Sequence, residues 1–289
     1  MQINYTPGIK INVDRNDLLY FTNETIYGTI DAKLARRKTD FAEIYLELVG
    51  GGYCSPKIHL GGLHEGKEKL TLRKGKYSWP FQIKLTDHFS SSINPLHIYP
   101  SVAYCLRVTF NTTWLHRDIG SFLSITIYPR IDILNNPQIS QPIQFKEMGP
   151  KDLIIQGSLN KTGYLPGESM HIMYSIENPH QILIKHTNVS LIQISYIHED
   201  QDRCQIFTTT LPNISDFQNK FINNTLSITL PSDLSSPSYP CLDDRQQRNN
   251  VKTLYQITFE VKIEDTKCND FYFNVPFLLG THSLQNYDG

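Results

Sequence analysis

Tyr20-Phe-Thr-Asn-Glu-Thr-Ile26 and Tyr164-Leu-Pro-Gly-Glu-Ser-Met170 are one phrase written twice, 144 positions apart. Each copy reads Tyr, apolar, two turn formers, Glu, hydroxyl, apolar. Each is followed by an alternating run, Ile26 to Leu34 in the first copy and Met170 to Ile176 in the second. The offset is half of the 289-residue chain, so the simplest account is two copies of one domain. A duplicated β-domain without visible chemistry points to a binding platform rather than an enzyme.

The dominant period is two throughout. Ala42, Ile44, Leu46 and Leu48 alternate with Glu43, Tyr45 and Glu47. Tyr77, Trp79, Phe81, Ile83 and Leu85 share a face, as do Val102, Tyr104, Leu106, Val108 and Phe110. The longest run is Val251 to Ile263, apolar on one side and polar on the other. Such alternation marks antiparallel strands with one wet face. Turn formers at Gly50–Gly52, Gly61-Gly62, Asn94-Pro95, Asn178-Pro179 and Pro237–Pro240 separate the runs. The reading is all-β, as two tandem antiparallel immunoglobulin-like β-sandwiches. The only helical signal is a short turn at Asp87–Ser92. Pro129, Pro137, Pro142 and Pro150 punctuate a stretch with few strand signals. The expected division is a domain over 1–130, a stiff connector over 131–149 and a second domain over 150–285.

The chain carries 27 Lys+Arg against 28 Asp+Glu, but the halves differ. Residues 1–145 hold 16 Lys+Arg and 12 Asp+Glu, net +4; residues 146–289 hold 11 and 16, net −5. A basic half suits anionic partners. Near-neutral overall charge and the lack of a recognition motif argue against nucleic acid. Five cysteines, none in a C-x-x-C pair, predict reduced, mostly buried thiols in a cytosolic protein. No signal peptide and no apolar run of membrane-spanning length is visible. Six N-x-[ST] sequons, at Asn23, Asn111, Asn160, Asn188, Asn213 and Asn223, keep a secreted β-sandwich as a rival reading.

No catalytic set, metal site or cofactor motif can be nominated. G-x-S-x-G and the P-loop are absent. His59, His64 and Glu65 read as loop polar residues, and His198, Glu199, Asp200 and Asp202 as a hairpin turn without calcium-ligand spacing. Two basic stretches remain as candidates for anionic partners. One is Arg36, Arg37 and Lys38; the other is Lys67, Lys69, Arg73, Lys74 and Lys76. Lys10, in the first predicted strand, joins them. Lys10, Arg36, Arg37 and Lys38 are expected to choose acidic or phosphorylated segments that add to a sheet edge.

The repeated phrase also resembles a known family. Gly163-Tyr-Leu-Pro-Gly-Glu168 followed by Asn178 is similar to the opening of the C-terminal domain in arrestin domain-containing proteins, G-Y-x-P-G-E with a later Asn turn. Ser238-Tyr-Pro-Cys241 before the long strand resembles that family's Ser/Cys turn. Val275-Pro276 to Gly280-Thr281 resembles its closing P-[IL]-x-[IL]-G-T. In the first half, Tyr20, Glu24 and Gly28 match Y-x-x-G-E-x-[IV]-x-G, with Asn23 standing where Gly is usual. The structural motif residues are therefore Tyr20, Glu24, Gly28, Tyr164, Pro166, Gly167, Glu168, Asn178, Pro276, Gly280 and Thr281. The resemblance implies the arrestin fold and a cytosolic, α-arrestin-like adaptor in protein transport, endocytosis and sorting. Its implied partners are cytoplasmic tails of membrane proteins, trafficking proteins and acidic lipid headgroups at the plasma membrane or endosomes. A ubiquitin ligase is implied only if a P-P-x-Y tail exists, since none occurs in these residues. A structural subunit of a coat or retrieval complex, similar to the arrestin-like subunit of retromer, is the rival within the same fold.

Overall fold

The computed structural model describes residues 4–5, 8–50, 53–62, 70–87, 89–93, 101–112, 118–133, 137–197, 199–233, 236–238, 251–264 and 269–281. By internal contacts the chain divides into two units, Met1–Pro129 and Arg130–Gly289. Among the described residues the regular structure is strand, apart from 3-10 turns at Pro137–Ser140 and Pro150–Asp152. No helix among them is long and apolar enough to cross a membrane. Among the described residues of Asp87–Ser92, the expected helical turn is not seen. Ser90, Ser91 and Ser92 are buried instead, and Ser92 exchanges hydrogen bonds with Ile127.

The first unit contains β1 (Asn4–Tyr5), β2 (Ile9–Val13), β3 (Leu19–Phe21), β4 (Thr25–Gly50), β5 (Tyr53–Cys54), β6 (Ile58–Gly62), β7 (Leu70–Lys84), β8 (Tyr104–Thr112) and β9 (Ile119–Tyr128). The 26-residue β4 serves two neighbourhoods. Its first part lies between β2 and β7; its last part pairs with β8 on one side and β5 and β6 on the other. Ile26, Ile30, Ala32 and Leu34 are buried in the first part, and Phe41, Ile44, Leu46 and Leu48 in the last. Between them Ala35-Arg36-Arg37-Lys38 is exposed. Those three cations offer the core nothing to bury, and there the β4–β7 register shifts. The two neighbourhoods pack on each other through aromatic edges. Trp79 of β7 meets Phe110 of β8 at 5.8 Å, and Phe110 meets Phe41 at 5.5 Å.

The second unit contains β10 (Ile143–Met148), β11 (Ile154–Leu159), β12 (Gly163–Tyr164), β13 (Ser169–Glu177), β14 (Ile184–Ile197), β15 (Asp200–Thr210), β16 (Phe221–Thr229), β17 (Val251–Ile263) and β18 (Phe271–Leu279). One sheet runs β10-β11-β13-β16 and the other β12-β18-β17-β14-β15. Their inner faces share one core. Ile172, Tyr174 and Ile176 come from the first sheet; Val189, Leu191, Ile257, Phe259, Val261 and Val275 come from the second. Each such side chain contributes about 1.5–3 kcal/mol by leaving water.

The repeated phrase folds into the same device in both units. Asn23 and Gly167 stand at φ 70° and 81°. That left-handed corner is open to Gly and, among side-chain-bearing residues, most readily to Asn, so the first copy keeps the turn without its glycine. The following glutamate then turns back. Glu24 Oε2 accepts the Phe21 N–H at 3.0 Å and Glu168 Oε2 the Leu165 N–H at 2.8 Å. Each carboxylate also meets a cation, Arg15 at 2.8 Å and Lys161 at 2.6 Å. The same cations lie over the rings of Tyr20 and Tyr164, at 4.9 and 5.0 Å. The tyrosine hydroxyls donate to Asp14 and Asn160, both at 2.8 Å.

A second correspondence was hidden from the pattern. Ser92 and Ser238 accept the Ile127 and Leu279 N–H groups at 2.9 and 2.8 Å, while Tyr104 and Tyr255 hydroxyls donate to the carbonyls of Ser90 and Ser236. Two independent sets of equivalent contacts, in equivalent order, make the second unit a structural repeat of the first.

Burial of these rings has a consequence at high pH. Tyr164 and Tyr174 are pushed from the ordinary 10.0 up to about 12, chiefly by burial, and Tyr20 is raised by burial and by its bond to Asp14. A phenol whose folded pKa exceeds its unfolded value stays protonated in the folded chain while the unfolded chain ionises. Its stabilisation is complete below pH 10 and declines from 10 towards 12. Urea midpoints should therefore fall steadily over that window, and less steeply in Tyr164→Phe.

The 131–149 segment is more than the stiff connector expected from its prolines. Ile143–Met148 is strand β10, antiparallel to β11, and Phe145 reaches Phe259 at 5.3 Å. Upstream, Ile133 and Ile139 form a small buried cluster with Leu165. The closing motif holds it there. The Thr281 N–H donates to the Ile131 carbonyl at 2.9 Å, and the Ile131 N–H to Thr281 Oγ1 at 3.2 Å. A Cβ on Gly280 would stand 2.6 Å from Ile133 Cγ2. Apolar residues between the prolines supplied more burial than the prolines removed. Gly280→Ala is expected to cost about 1–3 kcal/mol by overpacking this contact, read as a lower urea midpoint at unchanged slope.

The cysteines also depart from expectation. Cys54 and Cys204 are exposed and Cys105 is half-buried, all as free thiols. Cys54 and Cys204 sit on short or outer strands, β5 and β15, which have less to cover them. Cys241 and Cys268 lie outside the described residues.

Candidate anion-binding edge

β2 ends its sheet: among the described residues it pairs with β4 alone. Alternation places Ile9 and Ile11 in the core, at 3% and 5% exposure, and turns Lys10 outward. The β2–β4–β7 register then builds two adjacent rows on the outward face. Lys10 stands beside Asp31 and Ser78. In the next row Gly8 stands beside Lys33, whose N–H donates to the Gly8 carbonyl at 2.7 Å, and Lys33 pairs with Lys76.

These residues line a depression of about 470 Å³. Gly8 contributes no side chain to it, and a Cβ there would lie 2.7 Å from the Lys33 carbonyl oxygen. Lys10, Lys33 and Lys76 thus line a notch cut into the sheet edge. The single carboxylate among them is already engaged: Asp31 accepts from Asn12 Nδ2 and from Ser78 Oγ, both at 2.7 Å. Among the described residues none of Lys10, Lys33 and Lys76 makes an ion pair. Three lysines against one carboxylate leave the notch net positive and favour an anion there, most strongly one with several oxygens.

The structure brings Lys10 of β2 and Lys76 of β7 to one depression, although distant stretches of the first unit supply them. Arg36, Arg37 and Lys38 fall beyond the register shift, with Arg73 opposite Lys38 and Lys74 beside it, all exposed. They extend the basic strip but not the two ordered rows. Lys38 also lies 4.0 Å from Asp40. Lys67 and Lys69 lie outside the described residues. Lys33 was missed by sequence reasoning, although the signal was present. It alternates with Ala32 and Leu34, which places it on the wet face of its run.

The second unit shows what the β2 edge lacks. β2 and β11 each precede the repeated phrase, and each pairs antiparallel with the strand that follows it, β4 and β13. β11 has a further neighbour, β10, in a six-residue antiparallel register. Among the described residues β2 has no counterpart to β10.

The remaining motif residues serve the scaffold. Pro166 is buried in the phrase's turn, and Pro276 is exposed on β18 opposite Gln256. Gly28 pairs with Phe81 where β4 passes between β2 and β7. Asn178 is fully buried; its amide donates to the Ile182 carbonyl at 2.9 Å and accepts the Ile182 N–H at 3.0 Å.

The family model for the arrestin (or S-antigen) C-terminal domain matches residues 149–284. No curated protein matches the chain.

Proposed function

The second unit belongs to the arrestin family, and from that premise we propose that the chain is a cytoplasmic, α-arrestin-like adaptor, not an enzyme, that binds acidic or phosphorylated tails of membrane proteins for sorting and endocytosis. The tail adds as a strand to β2. The observation that carries this reading is the unfilled β2 edge beside Lys10, Lys33 and Lys76, at the position where β10 lies in the second unit. Main-chain hydrogen bonds to β2 supply sequence-independent affinity; the lysines select for negative charge. A phosphoryl group on the added strand, opposite Gly8, reaches over the notch to Lys33 and Lys76.

The test compares one extended peptide in phosphorylated, glutamate-substituted and neutral forms, by fluorescence anisotropy with the full chain. Affinity should fall in that order and weaken steeply with salt, since the screening length shortens from about 10 Å at 0.1 M to about 3 Å at 1 M. Equal affinity for the neutral peptide would refute the proposal.

A further inference from the structure

The repeat puts a second depression, of about 710 Å³, on the β10-β11-β13-β16 sheet. Asp31 and Ser175 are 144 positions apart, like the two copies of the phrase. Asp31 lies between Lys10 and Ser78; Ser175 lies between Gln156 and Asn223. The row that binds an anion in the first unit is thus rebuilt in the second from uncharged amides and a hydroxyl. In the next row the Lys33–Lys76 pair is replaced by Glu177–Phe221. On the other side Gln144 stands beside Ser158. Among the described residues the side chains of Gln144, Gln156, Ser158, Ser175 and Asn223 make no hydrogen bond. Ser158 is only 5% exposed, yet its side chain lines the depression with its bonding capacity unspent. A buried hydroxyl in that condition is uncommon and points to a missing partner. Phe221 and Met173 line the same depression and are 56% and 55% exposed.

The chemistry of this lining selects its ligand. Amides and hydroxyls each donate and accept, so their complement is a group that does both without charge. An anion finds one exposed cation here, Lys146, with Glu177 one row away. A strand cannot add to β11, because β10 already lies along it. Exposed aromatic and thioether side chains offer a flat apolar surface beside the polar row. Sugar rings combine these features, with hydroxyls around the rim and C–H bonds on the faces. We infer that the depression binds a neutral saccharide, its hydroxyls on Gln156, Ser158, Ser175 and Asn223 and a ring face on Phe221. The volume lies in the range of small-ligand sites. The site is separate from the β2 edge and does not require that tails bind there.

Saturation-transfer NMR of the full chain, titrated with neutral mono- to trisaccharides of glucose, galactose, mannose and N-acetylglucosamine, tests it. At least one should bind with a Kd of about 1 mM or tighter. Its affinity should stay within about twofold between 0.1 M and 1 M salt, where phosphopeptide binding collapses. Phe221→Ala and the Q156A/N223A pair should each weaken binding roughly tenfold. Where the paired variant does not melt like the wild type, Ser158→Ala replaces it, with a loss of roughly fivefold. No binding by any member of the panel at about 10 mM would overturn the inference. So would binding that these variants leave unchanged, or a neutral peptide captured by the same residues in place of a sugar. K10E/K33E/K76E should bind the saccharide as the wild type does, which keeps this result separate from the tail reading.

Discussion

Replacing Lys10, Lys33 and Lys76 together by glutamate abolishes binding of a phosphorylated extended peptide, while the thermal transition stays within a few degrees of the wild type. The three side chains are exposed and make no ion pair among the described residues, so the fold loses little with them. Binding loses far more. Hydrogen bonds to charged groups contribute about 1.5–3 kcal/mol each. Losing two or three of them, and facing repulsion instead, costs about 4 kcal/mol or more, roughly a thousandfold in Kd. Single substitutions should each give a part of this, with Lys33→Glu and Lys76→Glu close to one another because they share a row. Reversal of Arg36, Arg37 and Lys38 should weaken binding less, through long-range charge alone, since these residues lie at the register shift and outside the two ordered rows. A triple variant that binds like the wild type would remove the edge from the account.

The largest loss of stability from a single polar substitution is expected at Asn178. Its side chain is fully buried and closes a loop on both the N–H and the carbonyl of Ile182. Asn178→Ala leaves two buried backbone groups without this partner, each costing about 1–3 kcal/mol, so a total of roughly 2–6 kcal/mol follows. Asn178→Asp should be no better. It can still accept the Ile182 N–H, but it cannot donate to the carbonyl and it buries a charge. Urea unfolding monitored by intrinsic fluorescence measures both. A change under half a kcal/mol for the alanine variant would show that the loop between β13 and β14 is held by something else.

Strand positions were the most legible part of this fold. Val251–Ile263 was read residue for residue as β17, because alternation from Tyr255 to Ile263, with Val251 in phase, leaves one face only for the core. The turn of the repeated phrase was legible even without its glycine, since Asn can hold the required positive φ. The sheet partners were not legible. Alternation says which residues are buried but not which strand lies alongside, and the pairing of Lys10 with a β4 that also reaches Lys76 depends on that. The connector was misread for a related reason. Prolines at 129, 137, 142 and 150 dominate the local pattern, yet Ile143 pairs with Leu159 of β11, and Phe145 and Ile131 meet Phe259 and Thr281, groups over a hundred residues away. Ser238 stood out through its resemblance to a family turn, but Ser92 carried no signal, because a serine in a loop says nothing about the strand end that it will bind.

Residue-resolved amide hydrogen exchange across Ile9–Val13, with and without saturating phosphopeptide, probes the added strand itself. Exchange at alternate β2 amides should slow on binding, as expected when a new ladder forms along a bare edge, while the amides of β11 stay as they were behind β10. Tight binding that leaves every β2 amide exchanging at its free rate would place the ligand elsewhere and contradict the account.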